Sequence, residues 1–245
     1  MSDVIVKTEK ITKVYRLGDE EVCALRGISM EVYRGEYLSI MGPSGSGKST
    51  LFNMVGGLDV PSSGEVLLEN HRLSRLNARQ LAAIRCHKMG YIFQSFNLIS
   101  TMTALENVAI ARIFAGAAPA QANAEAAQVL QQVGLGHRLR HLPGEVSGGQ
   151  QQRIAIARAL VNKPAIILAD EPTGNLDLKT GEEIIGLLDE LKHTYNITII
   201  TATHDLKMLK TSDRVVWIRD GQIDRIAQKG EVQIEIGTID GKTLA

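Results

Sequence analysis

One stretch constrains this chain more than any other: Gly42-Pro43-Ser44-Gly45-Ser46-Gly47-Lys48-Ser49, which fits G-x-x-x-x-G-K-[ST]. It follows the strand-like run Tyr37-Leu38-Ser39-Ile40-Met41 and precedes the apolar pattern Leu51, Phe52, Met54, Val55. Strand, glycine loop and helix in that order make a phosphate cradle. The glycines let the backbone curl so that successive N–H groups point inward at phosphate oxygens. The helix adds the positive end of its dipole. In such a loop Lys48 reaches β- and γ-phosphates, and the Ser49 hydroxyl binds Mg²⁺. Gly42 through Ser49, with the adjoining Thr50, are the candidate nucleotide contacts.

The rest of the chain supplies a sheet for that loop. Short β-type runs alternate with helical patterns, which argues for an α/β sheet. Ala165-Ile166-Ile167-Leu168-Ala169 is a continuous apolar run, as a strand buried on both faces requires, and Ile197 to Thr203 is similar. Val215-Val216-Trp217-Ile218 and Gln222 to Ile226 flank Arg219-Asp220-Gly221, a hairpin signal. The middle is helical. Ala126, Val129, Leu130 and Val133 recur at helical spacing before Gly134, and a second helix over Gln150–Val161 ends before Pro164. A third, Gly181–Tyr195, turns Ile184, Leu187, Leu188, Leu191 and Tyr195 to one face, the pattern of core. In the last residues Val232, Ile234 and Ile236 alternate as a short strand would.

Composition narrows the partners. With 245 residues at 44% hydrophobic, one sizeable core can form. Lys plus Arg and Asp plus Glu both number 27, so no global field favours nucleic acid or an anionic membrane. Cys23 and Cys86 have no metal-like spacing and are expected as free thiols. No basic segment precedes an apolar run at the start, so a signal peptide is not expected. Val108 to Ala120, the most apolar long stretch, carries Arg112 and Pro119 and falls short of the ~18 residues a membrane span needs. Membrane contact is therefore expected only through a partner.

Two further stretches carry chemistry. The apolar run ending Leu168-Ala169 delivers Asp170-Glu171. An acid at a strand terminus beside a phosphate loop can hold Mg²⁺, which assigns Asp170 to the metal. The next carboxylate can polarise an attacking water, which assigns Glu171 as general base. Farther on, Leu142 to Arg153 contains Ser147-Gly148-Gly149-Gln150 at a helix start, a second anion site by its free N–H groups. A nucleotide already held by the first loop has no second terminal phosphate to offer. Either the two sites lie on different faces, or the second serves a nucleotide held by another copy.

At this point the sequence resembles the ATP-binding-cassette family, over about residues 4–228. The Ser147-Gly148-Gly149-Gln150 helix start matches its signature. The resemblance implies a P-loop NTPase core sheet (about 1–94 and 161–228) with an inserted α-helical subdomain (about 95–160), leaving 229–245 as a C-terminal extension. It also implies site roles. Tyr15 matches the aromatic residue that stacks on adenine. Gln94 matches the glutamine that touches Mg²⁺ and the water and links to the helical subdomain. Gly174-Asn175-Leu176-Asp177 matches the loop along the dimer seam, with Asn175 where many relatives carry Ser. His204 matches the histidine that senses the γ-phosphate. Two copies would then sandwich two ATP, each held between one phosphate loop and the opposite Ser147–Gln150 segment.

Within the family, Gly56-Gly57-Leu58-Asp59, Phe93-Gln94-Ser95-Phe96-Asn97-Leu98-Ile99 and the run Ala169 to Asp177 look like the branch containing lipoprotein-releasing, macrolide-efflux and cell-division ATPases. That resemblance implies a homodimer at the cytoplasmic face of the cell membrane, driving a few-span permease with a large external domain. Phe96, Leu98 and Ile99 form an apolar group that could dock a cytoplasmic helix of such a permease or belong to the lobe core. A soluble cassette ATPase acting on ribosomes or DNA is the alternative. Against it, only about a hundred residues separate Lys48 from Ser147, with no heptad run between, and no basic stripe or aromatic platform suits nucleic acid. A nucleotide kinase or GTPase would need neither the Ser147 helix start nor His204.

Overall fold

Two long strands open the chain in the computed structural model, which describes residues 3–18, 20–231, 234–235, 238–239 and 242–243. β1 (Val4–Leu17) and β2 (Glu20–Tyr33) pair antiparallel, with register shifts that include one between Thr8 and Ile11. Lys10, inside that shift, takes φ 48°. The chain then dives inward as β3 (Tyr37–Met41), every residue of which is buried, and leaves through the glycine loop into α1 (Lys48–Val55). β4 (Ser63–Leu68) and β5 (His71–Arg72) return to the first sheet and complete the order β2-β1-β4-β5.

Helix starts follow local chemistry. α2 (Ala78–Lys88) opens on a reciprocal Asn77–Gln80 cap and leads into β6 (Met89–Ile92). α3 (Ala104–Phe114) opens on the same device between Thr103 and Glu106, and α4 (Pro119–Gln132) on a proline, whose missing N–H costs nothing there. α5 (Gly148–Leu160) starts at Ser147. It packs on α3 and α4 but also on β6, which joins the lobe to the sheet. After β7 (Ile166–Asp170), Asp177 caps α6 (Leu178–Tyr195), which stops at Asn196 in the left-handed region.

β8 (Thr198–Ala202), β9 (Arg214–Arg219) and β10 (Gln222–Gln228) finish a six-stranded sheet of order β10-β9-β3-β8-β7-β6. Only β10 runs antiparallel within it; its turn from β9 uses Asp220 and Gly221, both at positive φ, as an Asp-Gly hairpin requires. β11 (Ile234–Glu235), β12 (Thr238–Ile239) and β13 (Lys242–Thr243) form a small separate sheet. Ile234 of the expected terminal strand lies in β11, whereas Val232 and Ile236 lie outside the described residues.

Alternation along the parallel strands builds two cores. Ile167 and Ile199 face the lobe side with Val108, Leu130 and Ile154, while Leu168 and Ile200 face α1 and the antiparallel sheet with Phe52 and Leu25. Each such side chain contributes about 1.5–3 kcal/mol when fully buried. The antiparallel sheet thus covers one face of the parallel one. Among the described residues no helix is long and apolar enough to cross a membrane.

Candidate active site

Register places the site. β3, β8, β7 and β6 are consecutive parallel neighbours, with Ile40 opposite Ala202, Asp170 opposite Ala202, and Ile92 opposite Ala169. Their carboxyl ends therefore emerge side by side, and the residues just past them converge as open α/β sheets dictate. An open cavity of about 580 Å³ forms there. Gly42, Pro43, Ser44, Gly45, Gly47, Lys48, Ser49 and Thr50 line it together with Gln94, Glu171, His204 and Ala24.

The loop geometry follows from its residues. Gly42 sits at φ 152°, and a Cβ there would lie 2.1 Å from the Ile218 carbonyl oxygen, so no other residue fits. Lys48 Nζ reaches back to donate to the Gly42 and Pro43 carbonyls (2.8 and 3.0 Å). Ser46 is buried within the loop, and its Oγ has no partner among the described residues. Loop N–H groups, a lysine and a hydroxyl form the donor set a triphosphate takes.

Opposite, Glu171 is held on both oxygens. Thr203 Oγ1 donates to Oε2 (3.0 Å), and His204 Nδ1 lies 2.8 Å from Oε1. The Glu171 backbone is at φ 45°, a strained setting for a residue with a Cβ. Burial pushes the Asp170 carboxyl above the usual carboxylate range; the neighbouring Glu171 adds to this, and Lys48 opposes it. A cation at Asp170 would reverse that penalty. Ser49 hydroxyl, Asp170 carboxylate and the Gln94 amide oxygen are hard donors of the kind Mg²⁺ takes, and such sites leave further positions to phosphate and water. Among the described residues no cluster of three or more His, Cys, Asp or Glu could hold a metal by itself.

Gln94 is clasped to the Gly174–Asp177 loop. Asn175 Nδ2 donates to the Gln94 carbonyl (2.9 Å), and Gln94 Nε2 faces Asn175 Oδ1 at 3.4 Å. Behind it, Arg158 of α5 donates to the Phe96 and Asn97 carbonyls. Leu98 packs partly against the lobe core, while Ile99 stays exposed.

Other expected site residues lie elsewhere. Tyr15 does not line the cavity: its hydroxyl donates to Asp59 (3.0 Å), and Lys13 sits over its ring. The Thr50 side chain approaches the Tyr15 hydroxyl. Ser147, Gly148, Gly149 and Gln150 also lie outside the cavity. Ser147 and Gln150 bond each other reciprocally across the first turn of α5. Gly149 abuts α6, where a Cβ would lie 2.4 Å from Thr180 Cγ2, a reason for this glycine that the sequence did not reveal. Asp177 is occupied as a cap, accepting from the Thr180 N–H and hydroxyl.

Several participants escaped the sequence reading. Ala24 comes from β2, far from any motif. Thr203, Asp205 and Thr173 form a chain behind Glu171, with the Thr173 hydroxyl donating to Asp205 (3.1 Å). Gln152, wholly buried in α5, donates to the Pro172 carbonyl (2.7 Å) and so ties the signature helix to the loop after Glu171. Its place within Leu142–Arg153 was the available signal.

Known proteins resemble this chain. A family model described as ABC transporter matches residues 25–174. The chain is 43% identical over 231 residues to the lipoprotein-releasing system ATP-binding protein LolD of Shewanella sp. (strain MR-4), covering 94% of this chain and 100% of that one. It is 45% identical over 233 residues to the macrolide export ATP-binding/permease protein MacB of Hyphomonas neptunium, covering 95% of this chain but 36% of MacB. Among solved structures, a dimeric post-hydrolysis state of the ATP-binding cassette MJ0796, bound to ADP and Pi, matches with TM-score 0.85 and 42% identity. That match covers 91% of this chain and 98% of MJ0796, a protein of Methanocaldococcus jannaschii.

Proposed function

The chain belongs to the ABC transporter family as an ATP-binding, ATP-hydrolysing cassette, and from that premise we propose how its residues divide the work. Two copies close around two ATP. Lys48 and the loop N–H groups of each copy hold the phosphates of one nucleotide, and the Ser147–Gln150 helix start of the other copy caps its γ-phosphate. The carrying observation is that the cavity gathers Lys48, Ser49, Gln94, Glu171 and His204 while the signature segment lies outside it. A site whose second half faces away within one chain is completed by another. The dimeric state of the MJ0796 cassette supports the same arrangement.

In each site Glu171 accepts the proton of a water that attacks the γ-phosphorus, the bond to the bridging oxygen breaks, and ADP leaves. His204 and Thr203 hold the carboxylate in place. Mg²⁺, held by Ser49, Asp170 and Gln94, would neutralise phosphate charge. Tyr15 would border the adenine, and Asp177 would lie along the seam between copies.

The pair would sit at the cytoplasmic face of a membrane, held there by a permease. Two relatives support this. LolD is the ATP-binding part of a lipoprotein-releasing system, and MacB carries ATP-binding and permease parts in one chain. The test is to purify the Glu171→Gln form with ATP and Mg²⁺ from detergent-solubilised membranes of its own cells. A co-purifying permease with few spans and a large external domain is the expected result. Ribosomes or DNA-bound proteins in its place would overturn the transport reading and leave the ATPase intact.

A further inference from the structure

β8 ends at Ala202, and the next residue, Thr203, is fully buried although it carries a hydroxyl (0% exposed). A buried hydroxyl requires partners. The Thr203 oxygen accepts the Asp205 backbone N–H (3.0 Å), which leaves its own proton to donate. Glu171 Oε2, 3.0 Å away, receives it. The backbone is fixed as well. Thr203 N–H donates to the carbonyl of Ile40, on the strand that launches the phosphate loop (3.0 Å), and Glu171 N–H donates to the Ala202 carbonyl (2.9 Å). The strained φ of Glu171 persists only where its surroundings over-determine it. His204 holds the other carboxylate oxygen from a side chain that is 75% exposed. Thr203 is buried and β-branched, with a stiff χ1, and so is the rigid partner of the two.

We infer that Thr203 is the positioning residue for Glu171: its hydroxyl fixes the rotation of the carboxylate and ties it to the strand carrying the phosphate loop. The inference rests on Glu171 acting as base. Thr203 does not line the cavity, so its loss should slow turnover without weakening ATP binding.

Thr203→Val keeps the branched shape and removes the hydroxyl, while Thr203→Ser keeps the hydroxyl. Steady-state ATPase assays of the full chain should give a kcat about 10- to 100-fold lower for Thr203→Val with KM for ATP unchanged. Thr203→Ser should stay near the parent. A parent-like kcat in Thr203→Val overturns the inference. So does a joint loss of kcat and ATP affinity that Thr203→Ser shares, since that marks a scaffold role. Should the valine variant fail to fold, Thr203→Ala against Thr203→Ser carries the same contrast, and equal kcat values would overturn the inference. Glu171→Gln is assayed alongside: if it keeps near-parent turnover, the base assignment falls whatever Thr203 does.

Discussion

The phosphate loop and the Ser147 segment are both glycine-rich helix starts, yet only one of them is a site within a single chain. The loop before α1 opens at the carboxyl edge of the sheet, where β6, β7 and β8 deliver Gln94, Glu171 and His204 opposite it. The segment before α5 is closed on itself by the Ser147–Gln150 cap and backed by α6. The two are wired together through Gln152, which donates to the Pro172 carbonyl beside Glu171. Sheet topology gives the first site its chemistry, and on the proposed reading the second is a half-site for another copy's nucleotide. That reading would make turnover depend on a second copy while leaving first binding to one.

The largest effect tests the first region. Glu171→Gln removes the acceptor for the water's proton but keeps the shape and the Thr203 contact. Turnover should fall about 10²- to 10⁴-fold while ATP binding persists, and ATP should then trap the dimer on a sizing column. Near-parent turnover would break the assignment.

Next, Ser147→Asp separates capping from nucleotide contact in the second region. Aspartate caps helices as well as serine does, so the melting temperature should hold. Its charge would face the γ-phosphate of the other copy's ATP, and like charges at an interface cost several kcal/mol. ATP-driven dimerisation of the Glu171→Gln form should weaken about 100-fold or more, with monomer ATP affinity intact. Lys48→Ala, by contrast, should lose ATP affinity outright. If Ser147→Asp dimerised normally, the segment would be a helix cap and nothing else.

What the sequence disclosed and what it hid divide along the same lines. Phosphate loop and Asp170-Glu171 were readable because each directly follows an apolar run of strand length, whereas His204, also after such a run, took its role from the family resemblance. The antiparallel sheet was harder, since the shifts in β1 around Lys10 break the alternation that identifies a half-buried strand. Thr203 and Gln152 were hidden for another reason. Their partners lie at Glu171 and Pro172, and no local pattern encodes a hydrogen bond across the sheet or between lobe and loop. Gly149 was legible as a glycine but not as a contact with Thr180.

That contact gives the third prediction. Gly149→Ala would place a methyl 2.4 Å from Thr180 Cγ2. Overpacking of this kind costs about 1–3 kcal/mol, more than the ~0.5–1 kcal/mol alanine gains over glycine in a helix. Denaturant unfolding should record the loss. Thr180→Ser, which removes the methyl and keeps the hydroxyl bond to Asp177, should restore most of it in the double variant. An additive double variant would mean that α5 and α6 adjust freely, and that the second region is less rigid than its packing suggests.

The smallest effect concerns the clasp between the two regions, Asn175 on Gln94. Asn175→Ser shortens the side chain and cannot span both contacts, the 2.9 Å bond to the Gln94 carbonyl and the 3.4 Å approach of Gln94 Nε2. Both groups are exposed, so water replaces part of what is lost, and a net hydrogen bond of this kind is worth about 0.5–1.5 kcal/mol. With one amide contact orienting Gln94 so that its oxygen remains available to a metal, the expected result is a two- to tenfold rise in the Mg²⁺ concentration for half-maximal ATPase activity. Stability should not change, because neither side chain belongs to a core. An unchanged Mg²⁺ requirement would mean that Gln94 is oriented by its backbone alone, through Arg158 and the turn at Phe96-Asn97, and that the seam loop contributes nothing to the metal half of the site.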